Sequence, residues 1–222
     1  MPVISVNVGK PREVEWRGEL VSTAIFKEPV AGPIAVRGLN LDGDHQADLT
    51  VHGGADKAVY AYPAEHYAHW RTELGRVLSW GSFGENLTVE GLPLEGELFV
   101  GDRLRIGTAE LAVTQPRLPC FKLGIRFGNP QMVKRFLAAG RTGYYLRVLG
   151  EGQIGAGDSV TLLARDPAAV PVSEITRVYA HDRRDAEALR RILAAEALPA
   201  SWRPYLADLL AKAEAAPARS VP

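Results

Sequence analysis

The 222 residues carry 26 Lys plus Arg against 26 Asp plus Glu. No global field therefore draws the chain to nucleic acid or to an anionic membrane, and any anion site must be built locally. No stretch approaches the ~18 apolar residues of a membrane span, the first ten residues lack the basic and apolar regions of a secretory leader, and the single cysteine excludes an internal disulfide; a cytoplasmic protein is expected.

From the N-terminus, residues 3–8 (Val-Ile-Ser-Val-Asn-Val) alternate apolar and polar, the period of a half-buried strand. Similar short runs recur at 20–26, 34–36, 58–62, 86–89, 98–100, 103–106, 110–114, 144–148 and 159–163, mostly separated by Gly, Pro or Asp. Many short strands with turn signals between them favour a barrel or sandwich over a parallel α/β sheet. A first helix is expected to begin near Pro63, with Tyr67, Trp70 and Leu74 on one face. A second follows Asn129, with Met132, Val133, Phe136 and Leu137 as its apolar stripe and Gly140 as its C-cap.

Residues 166–171 (Asp-Pro-Ala-Ala-Val-Pro) read as a linker, and strand signals vanish beyond it. Ser173, Asp185 and Ser201 can each cap a short helix, the second carrying Leu189, Ile192 and Leu193 and the third Tyr205, Leu206, Leu209 and Leu210. The expected fold is therefore mainly β, of the α+β kind. A β-barrel domain with a few peripheral helices spans 1–166, a three-helix C-terminal domain spans 171–214, and a tail at 215–222 frays.

Two segments concentrate chemistry. Cys120 lies in Gln115-Pro116-Arg117-Leu118-Pro119-Cys120-Phe121-Lys122, where two prolines stiffen the backbone and two cations favour a thiolate, the metal-binding form. By residue type alone the plainer reading is a small buried thiol. The second segment, residues 43–57, holds His52, Gly53, Gly54 and Lys57. Its glycines can let backbone amides converge on an anion, although a wide turn rich in Gly and Asp accounts for the same residues. The histidines lack His-Glu-x-x-His, and one cysteine cannot build a Cys-rich zinc site, so His66 and His69 read as a packed helix face. Gly81 to Asn86 is not a Gly-x-Ser-x-Gly elbow, and no phosphate-loop lysine motif occurs. The basic residues of the tail alternate with acids, as on a solvated face, which disfavours a nucleic-acid module.

Seven motifs stand in order: Lys27-Glu28-Pro29-Val30; Gly43-Asp44 with Gln46-Ala47-Asp48; His52-Gly53-Gly54; Tyr62-Pro63 with Glu65-His66-Tyr67 and Trp70; Phe83-Gly84-Glu85-Asn86-Leu87; Gly101-Asp102; and Gln115-Pro116-Arg117 with Pro119-Cys120. Together they resemble the MOSC family, named for the molybdenum cofactor sulfurase C-terminal domain, and within it the bacterial hydroxylaminopurine-resistance (YiiM-like) subgroup. The resemblance covers about residues 1–165, and the tail from about 171 resembles the three-helix domain of that subgroup.

The resemblance implies a barrel-like fold that holds a pterin-based molybdenum cofactor in a basic cleft, with no pyridoxal phosphate. Cys120 matches the metal-ligating cysteine, and Asn86 matches a position lining the cleft. His52, Gly53, Gly54, Lys57, Arg117 and Lys122 are further candidates, His52 as a proton donor. Lys27 and Arg37 are included because a pterin phosphate needs cations. A thiophilic metal suits a thiolate ligand, and the cofactor would carry the oxygen-transfer chemistry while the protein binds and orients. The implied activity is reduction of N-hydroxylated bases and related small molecules. Electrons would come from a separate reductase, since one cysteine holds no iron–sulfur cluster. The alternative is a non-catalytic carrier of persulfide sulfur or intact cofactor. Neither a nucleic acid nor a membrane partner is expected, and a homodimer is.

Overall fold

The computed structural model describes residues 1–48 and 53–215. Its central sheet follows the order β12 (Val160–Ala164), β8 (Arg103–Ile106), β9 (Ala109–Pro116), β10 (Tyr144–Gly150), β6 (Val59–Pro63), β7 (Leu87–Val89), β1 (Val3–Val8), β4 (Glu28–Pro29). Neighbours run antiparallel except β6 and β7, which are parallel, so the sheet is mixed. It curls until its two ends nearly meet. Pro2 bridges Ser159, Val3 N–H donates to the Asp158 carbonyl (2.8 Å) and Val160 N–H to the Met1 carbonyl (2.7 Å). The expected barrel is thus a curled sheet stitched at one point, with no continuous closing ladder among the described residues.

Two small ribbons flank it. β2 (Arg12–Trp16) and β3 (Glu19–Thr23) form a hairpin turning on Arg17 and Gly18, both at positive φ (55° and 83°), the backbone of a type I′ turn. β5 (Ile34–Val36) pairs with β11 (Gly152–Ile154). The alternation that marks strands is clearest in β8, where Leu104 and Ile106 are buried and Arg103 and Arg105 are exposed.

Helices α1 (Glu65–Leu74), α2 (Phe121–Phe127) and α3 (Met132–Ala139) cover one side of the sheet. Beneath them lies an aromatic core of Tyr62, Tyr67, Trp70, Phe83 and Phe136. Trp70 stacks on Phe136 (centroids 5.7 Å apart, planes 12°) and donates its indole N–H to the Tyr62 hydroxyl (2.8 Å). Truncating such a ring to alanine costs about 3–5 kcal/mol. Gly140 closes α3 in the left-handed conformation, as its position implies.

α4 (Val172–Ala180), α5 (Ala186–Ala194) and α6 (Arg203–Ala215) follow. Their apolar faces, including Ile175, Leu189, Ile192 and Leu206, join the same core as the sheet. Residues 98–100 do not form a strand of the main sheet. They hydrogen-bond instead to the stretch expected as a linker: Val100 N–H to the Val170 carbonyl (2.9 Å) and Val172 N–H to the Leu98 carbonyl (3.0 Å). Val170 is fully buried, so this connection is a structural seam in which buried backbone groups find partners.

Asp185 caps α5 by accepting from Ala188 N–H (2.9 Å). Pro171, not Ser173, holds the N-cap position of α4, and Ser201 lies in a 3-10 turn (Ala200–Trp202) preceding α6. Among the described residues no helix is long and apolar enough to cross a membrane. The tail expected to fray from 215 lies, beyond its first residue, outside them.

Candidate functional site

A cleft opens where four segments meet. These are residues 23–27 after β3, the 45–47 loop, the approach to β6 at Gly53 and Lys57, and the turn from β9 into α2. Cys120 sits in that last turn. Pro119 fixes the backbone before it, and Cys120 holds the N-cap position in extended conformation (φ −111°), its carbonyl accepting from Leu123 N–H (2.9 Å). Helix α2 begins with the next residue and ends at Gly128, which folds back to the carbonyls of Gly124 and Ile125. The thiol is half-buried and lines the cleft.

Arg117 also lines the cleft, only 6% exposed. Its guanidinium lies over the rings of Tyr60 (5.6 Å) and Phe136 (5.1 Å) and bonds the Tyr145 hydroxyl. Its Nη1 finds no hydrogen-bond partner among the described residues. A buried, unsatisfied donor costs about 1–3 kcal/mol, a cost that an acceptor on a ligand in the cleft would relieve.

Lys27 reaches the opposite wall and pairs with the buried carboxylate of Asp44. Burial presses the Lys27 pKa below the usual lysine range, and Asp44 opposes that shift. Asp44 is fixed by Gly9 N–H (2.8 Å) and by the Asn86 side-chain amide (2.9 Å). Asn86 in turn accepts from Tyr60 N–H (3.0 Å) through its side-chain oxygen. It therefore lines the cleft while ordering the pair behind it. Burial lowers the Lys57 pKa as well, against the attraction of Asp56. Tyr145 shares the wall with Cys120; burial raises its pKa, Arg117 works against this and Cys120 adds to it.

The glycine-rich turn before Asn86 is held from inside by Glu85. Its buried carboxylate accepts from Gly81 N–H (2.8 Å), Phe83 N–H (3.0 Å), the Thr88 hydroxyl (2.9 Å) and the Tyr67 hydroxyl. Burial pushes the Glu85 pKa up, these bonds pulling against it.

Of the residues singled out from sequence, Cys120, Arg117, Lys122, Lys27, Lys57, Gly53 and Asn86 all line this one cleft. Gly54 is exposed beside it, at φ 88° ahead of the short turn Ala55–Lys57. Arg37 is not brought to the cleft: it is exposed and pairs with Asp42 (3.3 Å) and Glu151 (3.4 Å). His52 lies outside the described residues. Tyr60, Tyr145 and His45 line the cleft without having been singled out for it; each reads in sequence as an ordinary strand or turn residue.

Two further histidines are engaged separately. His66 bonds Glu95 (2.9 Å) through Nε2 and accepts from Arg141 (3.1 Å) at Nδ1, and His69 pairs with Glu73 (2.8 Å). Among the described residues no three His, Cys, Asp or Glu side chains group as a metal cage.

Comparison with known proteins agrees with this architecture. The family model described as MOSC domain matches residues 48–161, and that described as YiiM-like, 3-alpha helix domain matches residues 170–213. "Uncharacterized protein YflK" of Bacillus subtilis (strain 168) is 44% identical over 90% of each chain. "Protein YiiM" of Escherichia coli (strain K12) is 35% identical over 81% of each. A protein of Gibberella moniliformis named "Reductase" is 35% identical over 79% of this chain, which spans 32% of that longer protein. The crystal structure of YiiM from Geobacillus stearothermophilus superposes with a TM-score of 0.79 at 38% identity, covering 94% of this chain and 98% of that one.

Proposed function

Since the chain belongs to the MOSC domain family and carries the YiiM-like three-helix domain, we propose that it is a molybdenum-cofactor-dependent reductase of N-hydroxylated bases and related N-hydroxylated compounds. The observation that carries the proposal is chemical. A single cleft gathers the chain's one thiol, a buried guanidinium with an unpartnered Nη1, and the ammonium groups of Lys27, Lys57 and Lys122. That donor set fits a phosphate-bearing pterin with a thiophilic metal: a soft sulfur ligand on one side, fixed cations for the phosphate on the other. The Gibberella relative named a reductase supports the same reaction class.

Cys120 is the metal ligand in this proposal, and Arg117 with Lys57 and Lys122 holds the phosphate. Asn86 and Asp44 keep Lys27 in place from behind. When bound, the cofactor supplies the two-electron removal of the substrate's oxygen. The overall change breaks the N–O bond, consumes two electrons from a separate reductase and two protons, and releases an amine and water. Tyr145 Oη, on the same wall of the cleft as Cys120, is the proton source we assign.

The test is turnover. Protein from a cofactor-producing host, given a chemical reductant and hydroxylaminopurine, should release adenine, and the Cys120→Ser variant should not. Loaded wild-type protein that leaves the substrate unchanged would refute the reductase and leave carriage of cofactor or persulfide in its place.

A further inference from the structure

A second cavity lies between the β9–α2 turn and the C-terminal helices. It shares Lys57, Leu118, Cys120 and Tyr145 with the cleft already described. The thiol therefore stands in the wall common to both, facing a basic chamber on one side and an aromatic one on the other.

The far wall comes from three different elements of the helical unit: Tyr179 from α4, Trp202 from the 3-10 turn and Tyr205 from α6. Their ring centroids lie 5.8–6.4 Å apart, and their planes are inclined by 53–75°. Tyr179 and Tyr205 are half-buried and Trp202 is nearly buried, and all three line the cavity. The far wall is rigid. Trp202 donates its indole N–H to the side-chain oxygen of Gln115, and the Gln115 amide reaches the Asp56 carbonyl (3.4 Å). Pro116 and Pro119 stiffen the near wall. No carboxylate lines the cavity among the described residues, so a cationic ligand finds no counter-charge there.

We infer that this aromatic chamber is the binding site for the flat, uncharged heteroaromatic ring of the substrate. It packs the ring among Tyr179, Trp202 and Tyr205, face-on to one and edge-on to the others, with its exocyclic nitrogen toward the wall that Cys120 shares with the basic cleft. Stacking on aromatic side chains suits any planar base because every base has a π-face. The three-helix unit then acts as the selector for ring-bearing substrates. That the ring belongs to the substrate rests on the reductase proposal; that the chamber binds a flat ring does not.

Adenine, which carries the ring but no reducible N–O bond, is the probe. It should saturate the full-length chain in a fluorescence or calorimetric titration, with or without cofactor, while cyclohexanol, a saturated ring, should not. Tyr205→Ala and Tyr179→Ala should each weaken adenine about tenfold, the effect of one lost stacking partner, and Tyr205→Phe should restore it. Ser201→Trp, made at an exposed residue of the chamber wall, should block binding without touching the core. Adenine binding that is absent, unaffected by these changes, or matched by cyclohexanol overturns the ring site. If the loaded enzyme still reduces hydroxylaminopurine in that case, the reductase proposal stands and only the ring site falls. If adenine binds as expected but nothing is reduced, the ring site stands and the reductase falls.

Discussion

Gly81 and Gly18 hold nearly the same backbone conformation, φ +82° and +83°, in opposite surroundings. A side chain at either pays about 1–2 kcal/mol for the left-handed region. At Gly18, in the β2–β3 turn, a Cβ would meet nothing within 4 Å. At Gly81 it would stand 2.7 Å from the Lys27 carbonyl oxygen, 3.2 Å from the Lys27 carbonyl carbon and 3.3 Å from the Asn7 Cβ. Two of these are main-chain atoms that no rotamer change can move, so overpacking adds about 1–3 kcal/mol. Gly81→Ala should therefore cost about 2–5 kcal/mol and Gly18→Ala about 1–2 kcal/mol. For a chain of this size each kcal/mol lowers Tm by about 2–4 °C, giving a drop on the order of 10 °C for Gly81→Ala and about half that or less for Gly18→Ala. Paired thermal melts and denaturant titrations read the difference directly. Equal Tm losses would show that the Gly81 turn does not pack tightly against the Lys27 backbone.

Three other perturbations probe separate parts of the molecule. Trp202→Phe removes the donor to Gln115 and leaves a buried amide oxygen unsatisfied; a loss of about 1–3 kcal/mol in denaturant titration is expected, and no loss would show that the seam between sheet and helices does not depend on that bond. Burial opposes the charge on Glu95, but hydrogen bonds from His66 and Gly143 outweigh it and hold the carboxyl below its ordinary 4.5. As pH falls through 4.5 the unfolded chain takes up this proton first, so stability should drop there, and Glu95→Gln should flatten that limb of the Tm–pH curve. Arg117→Met removes an unsatisfied donor, which gains about 1–3 kcal/mol, but loses two ring contacts worth about 0.5–2 kcal/mol each and the bond to the Tyr145 hydroxyl, so ligand-free stability should fall by no more than about 2 kcal/mol. Inorganic pyrophosphate should raise the Tm of the wild type and leave that of the variant unchanged, and an equal rise in both would place the anion site elsewhere.

Much of the fold is legible along the chain because its strands are short, half-buried and bounded by glycine or proline, as β8 illustrates. The cap at Asp185 and the left-handed stop at Gly140 act through bonds to near neighbours, which a sequence displays. The exceptions have non-local causes. Residues 98–100 are apolar enough for a strand, yet their partner is the stretch at 170–172, which composition alone marks as loose. Helix α2 escapes notice because its seven residues are too few for a periodic stripe to emerge. At the site, cysteine, arginine and lysines advertise their chemistry, and seven of them and their neighbours do meet. Arg37 is chemically as suitable as Lys27, but only the fold decides that one faces Asp44 inside the cleft and the other faces Asp42 and Glu151 outside it. Tyr145 gives no sequence signal, since a tyrosine on a buried strand is ordinary. The pairing of β10 with β9 is what sets it beside the Cys120 turn.

The most direct test of the central claim is metal and pterin analysis of wild type beside Cys120→Ser, both from a cofactor-producing host. Exchanging one sulfur for oxygen in a half-buried side chain should leave the fold intact, which circular dichroism can verify. The wild type should carry stoichiometric molybdenum and pterin, and the variant strongly reduced molybdenum. Equal molybdenum in both proteins would contradict Cys120 as the ligand.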